Sequence, residues 1–236
     1  MSSAKYRRIA VIPARGGSSL LKRKALIEFK GNPRIAHTIL AALESQCFEK
    51  VVTSYDDTEI LGVAADFGAI PLERNPALAT ASATTAPVLI DVLDHEQKNR
   101  ETWDVLACLY ATAPLRTDND ISAVVNLVEP EKCEFAMAVS HADRPIHRAL
   151  SVADNGILDV VWPDLVNLNS QEAPQYVFGN GSTYAVYVPS FLKNKSLYGP
   201  GLRGYVMPPE RSVEIDTEED LELLPYYADK RATRSS

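Results

Sequence analysis

Apolar positions over the first 140 residues alternate between a strand-like and a helix-like period. RIAVIP (8–13) is short and apolar and ends in a Gly-rich turn, the pattern of a buried first strand. Residues 33–46 place Ile35, Ile39, Leu40 and Leu43 at helical spacing, and VVTS (51–54) reads as the second strand. Asp56 and Asp57 stand where a helix cap belongs, ahead of an apolar face of Ile60, Leu61, Ala64 and Ala65. Gly68 stops that helix before the strand AIPL (69–72). A helix over 84–98 carries Val88, Leu89, Val92 and Leu93. VLACLY (105–110) is a nearly continuous apolar run, as in a parallel strand covered on both faces. A helix over 117–129 turns Ile121, Val124, Val125 and Val128 inward, and FAMAVS (135–140) is the next strand. This rhythm predicts an α/β fold: a Rossmann-like open, mostly parallel sheet with helices on both faces.

The pattern changes near residue 140. Residues 141–180 hold His, Pro, Asn and Gly with short strand-like pieces, RALSV and ILDVV. They are too irregular for another strand–helix–strand unit and read as an inserted hairpin or small lobe, serving as a lid or a subunit interface. STYAVYV (182–188) returns to the sheet, YVMPP and SVEI are short strands, and 217–228 is a helix capped by Thr217 with Asp220 three residues on. The expected organisation is an α/β core over 1–140, an inserted lobe over 141–180, completion of the core over 181–229 and a disordered polar tail over 230–236.

Composition narrows the function classes. The 236 residues are 46% hydrophobic and 23% charged, enough apolar material for a sizeable core. The formal charge of −7 argues against a protein that coats a nucleic acid polymer, while leaving room for a local basic pocket. Three cysteines without a CxxC make a disulfide framework or zinc ribbon a poor fit, and the cytoplasm is the expected compartment. No apolar stretch approaches the ~18 residues of a membrane span. The four histidines do not cluster, although His141 and His147 fall near Arg144 and Arg148, where they suit a carboxylate.

The densest chemistry is IPARGGSSLLKRK, residues 12–24. Gly16 and Gly17 let backbone N–H groups approach a ligand closely, and successive N–H groups form an anion nest. Arg15, Lys22, Arg23 and Lys24 add cations in an otherwise acidic chain, an arrangement suited to a triphosphate. A solvated basic loop around a Gly turn fits the composition equally well. The second candidate is Glu214-Ile215-Asp216: on a strand, positions i and i+2 share a face, and two carboxylates there suit one hard divalent cation.

The whole string resembles a known family. IPARGGS on a first strand, the basic loop, and GNPRIAHTI are similar to the cytidylyltransferases that activate nonulosonic acids. KVVTSYDDTEILGVAADFGA, ERNPALA, LYATAPLRTDNDI, NSQEAPQY, NGSTY and VEIDTEEDL extend the likeness through most of the chain. The resemblance implies attack by the anomeric hydroxyl of an α-keto sugar acid on the α-phosphorus of CTP, with loss of pyrophosphate and Mg²⁺ on the phosphate oxygens. It implies that Ala14, Arg15, Gly16, Gly17 and Ser18 hold the nucleotide and that Arg15 and Lys24 neutralise the triphosphate. Arg74 would lie near the base or ribose, with Thr84 and Thr85 nearby. Thr112, Gln171, Tyr176, Asn180 and Tyr184 would line the sugar pocket, and Glu214 and Asp216 would hold Mg²⁺, with Asp216, Arg15 and Lys24 central to catalysis. Core packing is the competing reading for the tyrosines. The family also implies a homodimer built through 141–180. Ser19, Ala25, Ala81 and Asn169 depart from its pattern, so a divergent branch and a catalytically impaired nucleotide-binding homologue both remain open.

Overall fold

The computed structural model describes residues 6–13, 24–80, 84–142, 144–169 and 171–234, with backbone alone at Lys24 and 231–234. β1 (Arg8–Pro13) is the predicted first strand. A small hairpin that no apolar period announces, β2 (Glu28–Phe29) and β3 (Asn32–Pro33), leads into α1 (Arg34–Glu44). β4 (Lys50–Tyr55) precedes α2 (Thr58–Asp66), whose cap is Asp57: its carboxylate accepts from Glu59 N at 2.9 Å. Gly68, at φ +92°, ends that helix as predicted, and β5 (Ile70–Glu73) follows. Next come α3 (Thr85–Lys98), β6 (Val105–Leu109), α4 (Asp118–Val125) and β7 (Phe135–His141). α4 stops at Val125, earlier than the apolar spacing suggests, because Val128 is buried from the turn beyond it.

The insertion forms an antiparallel hairpin of β8 (Leu150–Val152) and β9 (Leu158–Val160). β10 (Val177–Tyr187) then begins at Val177 rather than Ser182, pairing Val177 with His141 before its register shifts between Gly179 and Tyr184. That bulge breaks the two-residue period and hides the strand's start in the sequence. A short helix not foreseen, α5 (Val188–Asn194), buries Phe191. β11 (Arg203–Val206) is followed by α6 (Glu218–Arg234). The strand expected over 212–215 does not form: Pro208 and Pro209 open a 3-10 turn, and Ile215 N makes one bond to Thr112 O (2.8 Å) instead of a ladder. α6 reaches Arg234, into the segment expected as a disordered tail.

The main sheet runs β11-β7-β10-β6-β1-β4-β5, parallel throughout except for β10, which is antiparallel to both β6 and β7. Alternate residues of each strand feed two cores. Ala10, Ile12, Ala107 and Leu109 pack with Ile35 and Ile39 of α1, Ile60 of α2 and Val124 of α4. Ile9, Val11, Leu106 and Cys108 pack on the other face with Leu89 and Val92 of α3 and Phe191 of α5. The predicted mostly parallel sheet with helices on both faces is what forms. A third cluster joins Leu115 and Ile215 to Leu224 and Ala228 of α6, pinning that helix over the segment before it.

Candidate active site

Open α/β sheets take ligands beyond the carboxyl ends of their strands. β1 ends at that edge at Pro13, and Ala14, Arg15, Gly16, Gly17, Ser18, Ser19 and Ala81 lie outside the described residues. The backbone of Lys24 opens a 3-10 turn, Lys24–Leu26, beside Ala25, which is 4% exposed and part of the main core. Ala25 therefore serves packing. Arg74 follows β5 and is buried; its backbone N donates to Tyr55 O and its Nη2 to Ser54 O, both at 2.8 Å, so it clasps the end of β4. Thr84 stands at the cap position of α3 without a side-chain capping bond. The Thr85 hydroxyl is hydrogen-bonded to the Tyr110 hydroxyl, which ties the start of α3 to the end of β6.

The centre of the site is a junction of three segments. Thr112 Oγ1, just past β6, donates to Glu214 Oε1 at 3.2 Å, and the Thr112 carbonyl accepts from Ile215 N. The Glu214 carboxylate lies against Gly181, where a Cβ would come within 2.3 Å of Oε2. Gly181 has φ +65°, so the bulge of β10 uses a backbone conformation that also clears space for this carboxylate. Arg116, fully buried, donates to the carbonyls of Tyr110 and Ser182, fastening the turn after β6 to the bulge. Burial lowers its pKa to about 10, which still leaves a cation at neutral pH. Burial also raises the Tyr110 hydroxyl, helped by the Cys108 thiol, so Tyr110 stays protonated beside Glu214.

Glu214 and Asp216 are not on a strand, which corrects the sequence expectation. Their geometry survives because the segment is extended: Ile215 is buried while both carboxylates are exposed. Asp216 N and Thr217 N each donate to Asp220 Oδ2 at 2.9 Å, and Asp220 N returns a bond to Thr217 Oγ1, the predicted cap of α6. Hard oxygen donors, two carboxylates and a hydroxyl, suit Mg²⁺ only if phosphate and water complete the shell. No group of three or more His, Cys, Asp or Glu residues that would hold a metal unaided occurs among the described residues.

The expected sugar-site residues divide. Thr112 belongs to the junction. Asn180 does not offer its amide: Oδ1 accepts from Ser182 N and Oγ, and Nδ2 reaches Met207 Sδ and Ser212 Oγ, so the side chain holds the bulge in place. Tyr184 is buried in the second core, edge-on to Tyr110 at 5.8 Å and to Tyr198 at 6.2 Å, in keeping with the packing reading. Tyr176 stacks on Trp162 at 6.3 Å and lines a cavity of about 270 Å³ with His141, Arg144 and His147. Gln171 is exposed in a turn of the same segment. Asn169, a departure from the family pattern, bonds Glu172 at 3.1 Å in that turn. Sequence reasoning gave no role to Arg34, Tyr110, Arg116 or Gly181, although each falls inside a string that resembles the family: GNPRIAHTI, LYATAPLRTDNDI or NGSTY.

Comparisons place these features in context. The family model described as cytidylyltransferase matches residues 9–224. The chain is 31% identical over 216 residues to the pseudaminic acid cytidylyltransferase of Campylobacter jejuni subsp. jejuni serotype O:23/36, covering 91% of this chain and 93% of that one. It is 32% identical over 220 residues to the CMP-N,N'-diacetyllegionaminic acid synthase of Legionella pneumophila, with 91% and 93% covered. An Escherichia coli O18:K1:H7 N-acylneuraminate cytidylyltransferase is 30% identical over 91% of this chain, which spans 50% of that relative. Among solved structures, a CMP:2-keto-3-deoxy-manno-octonic acid synthetase complexed with CTP has the same fold, with TM-score 0.68, 17% identity, and 95% and 99% of the two chains covered. Among the described residues, no helix is long and apolar enough to cross a membrane. The match along almost the whole chain makes this chain a member of the cytidylyltransferase family.

Proposed function

We propose that the chain transfers a cytidylyl group from CTP to the anomeric hydroxyl of a nonulosonic acid of the pseudaminic, legionaminic or N-acylneuraminic class. The sugar hydroxyl oxygen forms a bond to the α-phosphorus and releases its proton to water, the bond from that phosphorus to the oxygen bridging to the β-phosphate breaks, and pyrophosphate leaves. The observation that carries this proposal is the junction at the end of β6, where Thr112, Gly181 and Glu214 meet beside Asp216. The activities named for the pseudaminic and legionaminic relatives support the substrate class.

Such displacements are accelerated chiefly by positioning and charge neutralisation. Arg15 and Lys24 neutralise the triphosphate in this scheme. Glu214 and Asp216 would hold Mg²⁺, which when bound neutralises charge on the phosphate oxygens. Thr112 fixes the Glu214 carboxylate by hydrogen bonding, and Arg116 keeps the turn and the bulge at one spacing. The assembly we propose is a homodimer through the inserted hairpin. Its Val152, Ile157, Leu158 and Val161 are exposed together, the kind of apolar patch that a second copy covers.

The test is pyrophosphate release from CTP with a panel of nonulosonic acids under Mg²⁺ or Mn²⁺, with Arg15→Ala as the control that loses turnover. Release with one acid supports the proposal. No release with any acid overturns it, and CTP binding without turnover identifies a nucleotide-binding homologue instead.

A further inference from the structure

Arg34 opens α1, and its side chain is fully buried. Three physical terms oppose a cation there. Burial strips the guanidinium of water. Nε and Nη1 have no hydrogen-bond partner among the described residues. The positive end of a helix macrodipole lies at the same place. The compensation comes from one direction. Nη2 donates to the Ile215 carbonyl at 3.4 Å, the peptide oxygen between Glu214 and Asp216. The carboxylates of Asp216 and Asp220 act on the guanidinium electrostatically. A residue of the same length without charge would fill this core position at lower cost, so the guanidinium serves the acidic segment it faces.

We infer that Arg34 is a built-in counter-cation of the Glu214–Asp216 pair, a positioning residue that weakens the pair's hold on a free divalent cation, so that the cation is captured together with the phosphates of a nucleotide. The inference rests on the proposed cation role of Glu214 and Asp216. Two exposed carboxylates flanking one buried residue form a sparse set for a hard cation. A fixed positive charge behind them makes the set weaker still until phosphate oxygens add negative charge and ligands. Arg34 touches neither nucleotide nor sugar in this scheme; it acts through the carboxylates and through the peptide oxygen between them.

The experiment is a Mn²⁺ titration of the nucleotide-free protein, reading free Mn²⁺ by electron paramagnetic resonance. The proteins are wild type, Arg34→Met, Arg34→Lys, Asp216→Asn and the Arg34→Met/Asp216→Asn double variant. Removing one positive charge is expected to tighten Mn²⁺ binding about tenfold in Arg34→Met. Arg34→Lys, which keeps the charge, stays within about twofold of wild type by the same reasoning. In the double variant the gain disappears. Methionine suits an apolar enclosure, and circular dichroism with a melting curve verifies its fold; Arg34→Gln, of similar reach, is the substitute and carries the same expectation. If Arg34→Met binds Mn²⁺ no better than wild type while Asp216→Asn binds it worse, the counter-cation role is refuted and the cation role of the pair stands. If Asp216→Asn binds as wild type does, Mn²⁺ sits elsewhere and both fall. Micromolar Mn²⁺ binding by the wild type without nucleotide also overturns the inference, whatever the variants do.

Discussion

Gly181→Ala separates backbone strain from damage to the site. The added Cβ faces two obstacles. At φ +65° a non-glycine residue costs about 1–2 kcal/mol. Reduced freedom of the unfolded chain returns about 0.4–1 kcal/mol, leaving a net loss of about 1 kcal/mol. For a chain of this size that is a fall of roughly 2–4 °C in Tm. The second obstacle is specific: the methyl would lie 2.3 Å from Glu214 Oε2, 2.5 Å from Cδ and 2.6 Å from Oε1. A carboxylate at the end of a flexible side chain yields cheaply, so the displacement adds little to the stability loss. It does break the 3.2 Å bond from Thr112 and moves one half of the proposed cation site. Gly201→Ala, outside the hairpin, is the matched control: φ is +69°, yet nothing lies within 4 Å of its Cβ. Both variants are expected to lose similar stability in urea or thermal melts. Only Gly181→Ala is expected to lower pyrophosphate release, by about tenfold or more, and to raise the Mg²⁺ concentration needed for half-maximal turnover, since loss of one aligned polar contact is worth ~1–3 kcal/mol. Equal turnover in the two variants would show that the Glu214 carboxylate at Gly181 has no part in the reaction.

Asp120 accepts from Arg211 Nε and Nη2 at 2.9 and 3.0 Å and from Thr117 N and Oγ1 at 3.0 and 2.8 Å. Burial works to raise its pKa, but these bonds outweigh it and hold the carboxyl below its usual value. The stability it contributes is complete above the unfolded carboxyl pKa, about 4, and is lost as pH falls through the lower folded value. The stability gap between wild type and Asp120→Asn in urea melts is therefore expected to be large at pH 6 and to close below about pH 4; a gap independent of pH would refute the ion pair's role. Glu96, buried, meets Lys50 Nζ at 2.7 and 2.9 Å and accepts from Trp103 Nε1 at 3.3 Å. Because Lys50 is partly solvated, Glu96→Ala is expected to cost about 2–3 kcal/mol rather than the full loss of a buried pair, with turnover at low temperature unchanged; a melt within a degree of wild type counts against the pair. Light scattering at micromolar protein is expected to give twice the chain mass, and Val152→Asp with Ile157→Asp to halve it. A wild-type monomer removes the hairpin interface.

The alternation of apolar segments was enough to predict a mostly parallel sheet covered on both faces, because a parallel strand buried on both faces and a helix buried on one leave different periods. β1, β4, β6 and β7 and the four helices α1 to α4 follow from it, and the caps at Asp57 and Thr217 were legible because capping acts over three residues. The start of β10 was hidden by a bulge, which interrupts the period that reveals a strand. The expected strand at 212–215 failed for the reverse reason: alternation of exposed and buried residues marks extended backbone, but a ladder also needs a neighbouring strand, and Ile215 finds only Thr112. At the site, sequence marked Thr112, Glu214 and Asp216 by their motifs, but it did not show that the Asn180 amide bonds Ser182, Met207 and Ser212 or that the Thr85 hydroxyl bonds Tyr110. Which polar groups are already satisfied depends on residues up to a hundred positions away, so only the folded chain decides it. The same holds for Arg34. In the sequence it is one more cation at the start of a helix; its burial and its bond to the Ile215 carbonyl exist only because the folded chain brings the segment before α6 to the start of α1.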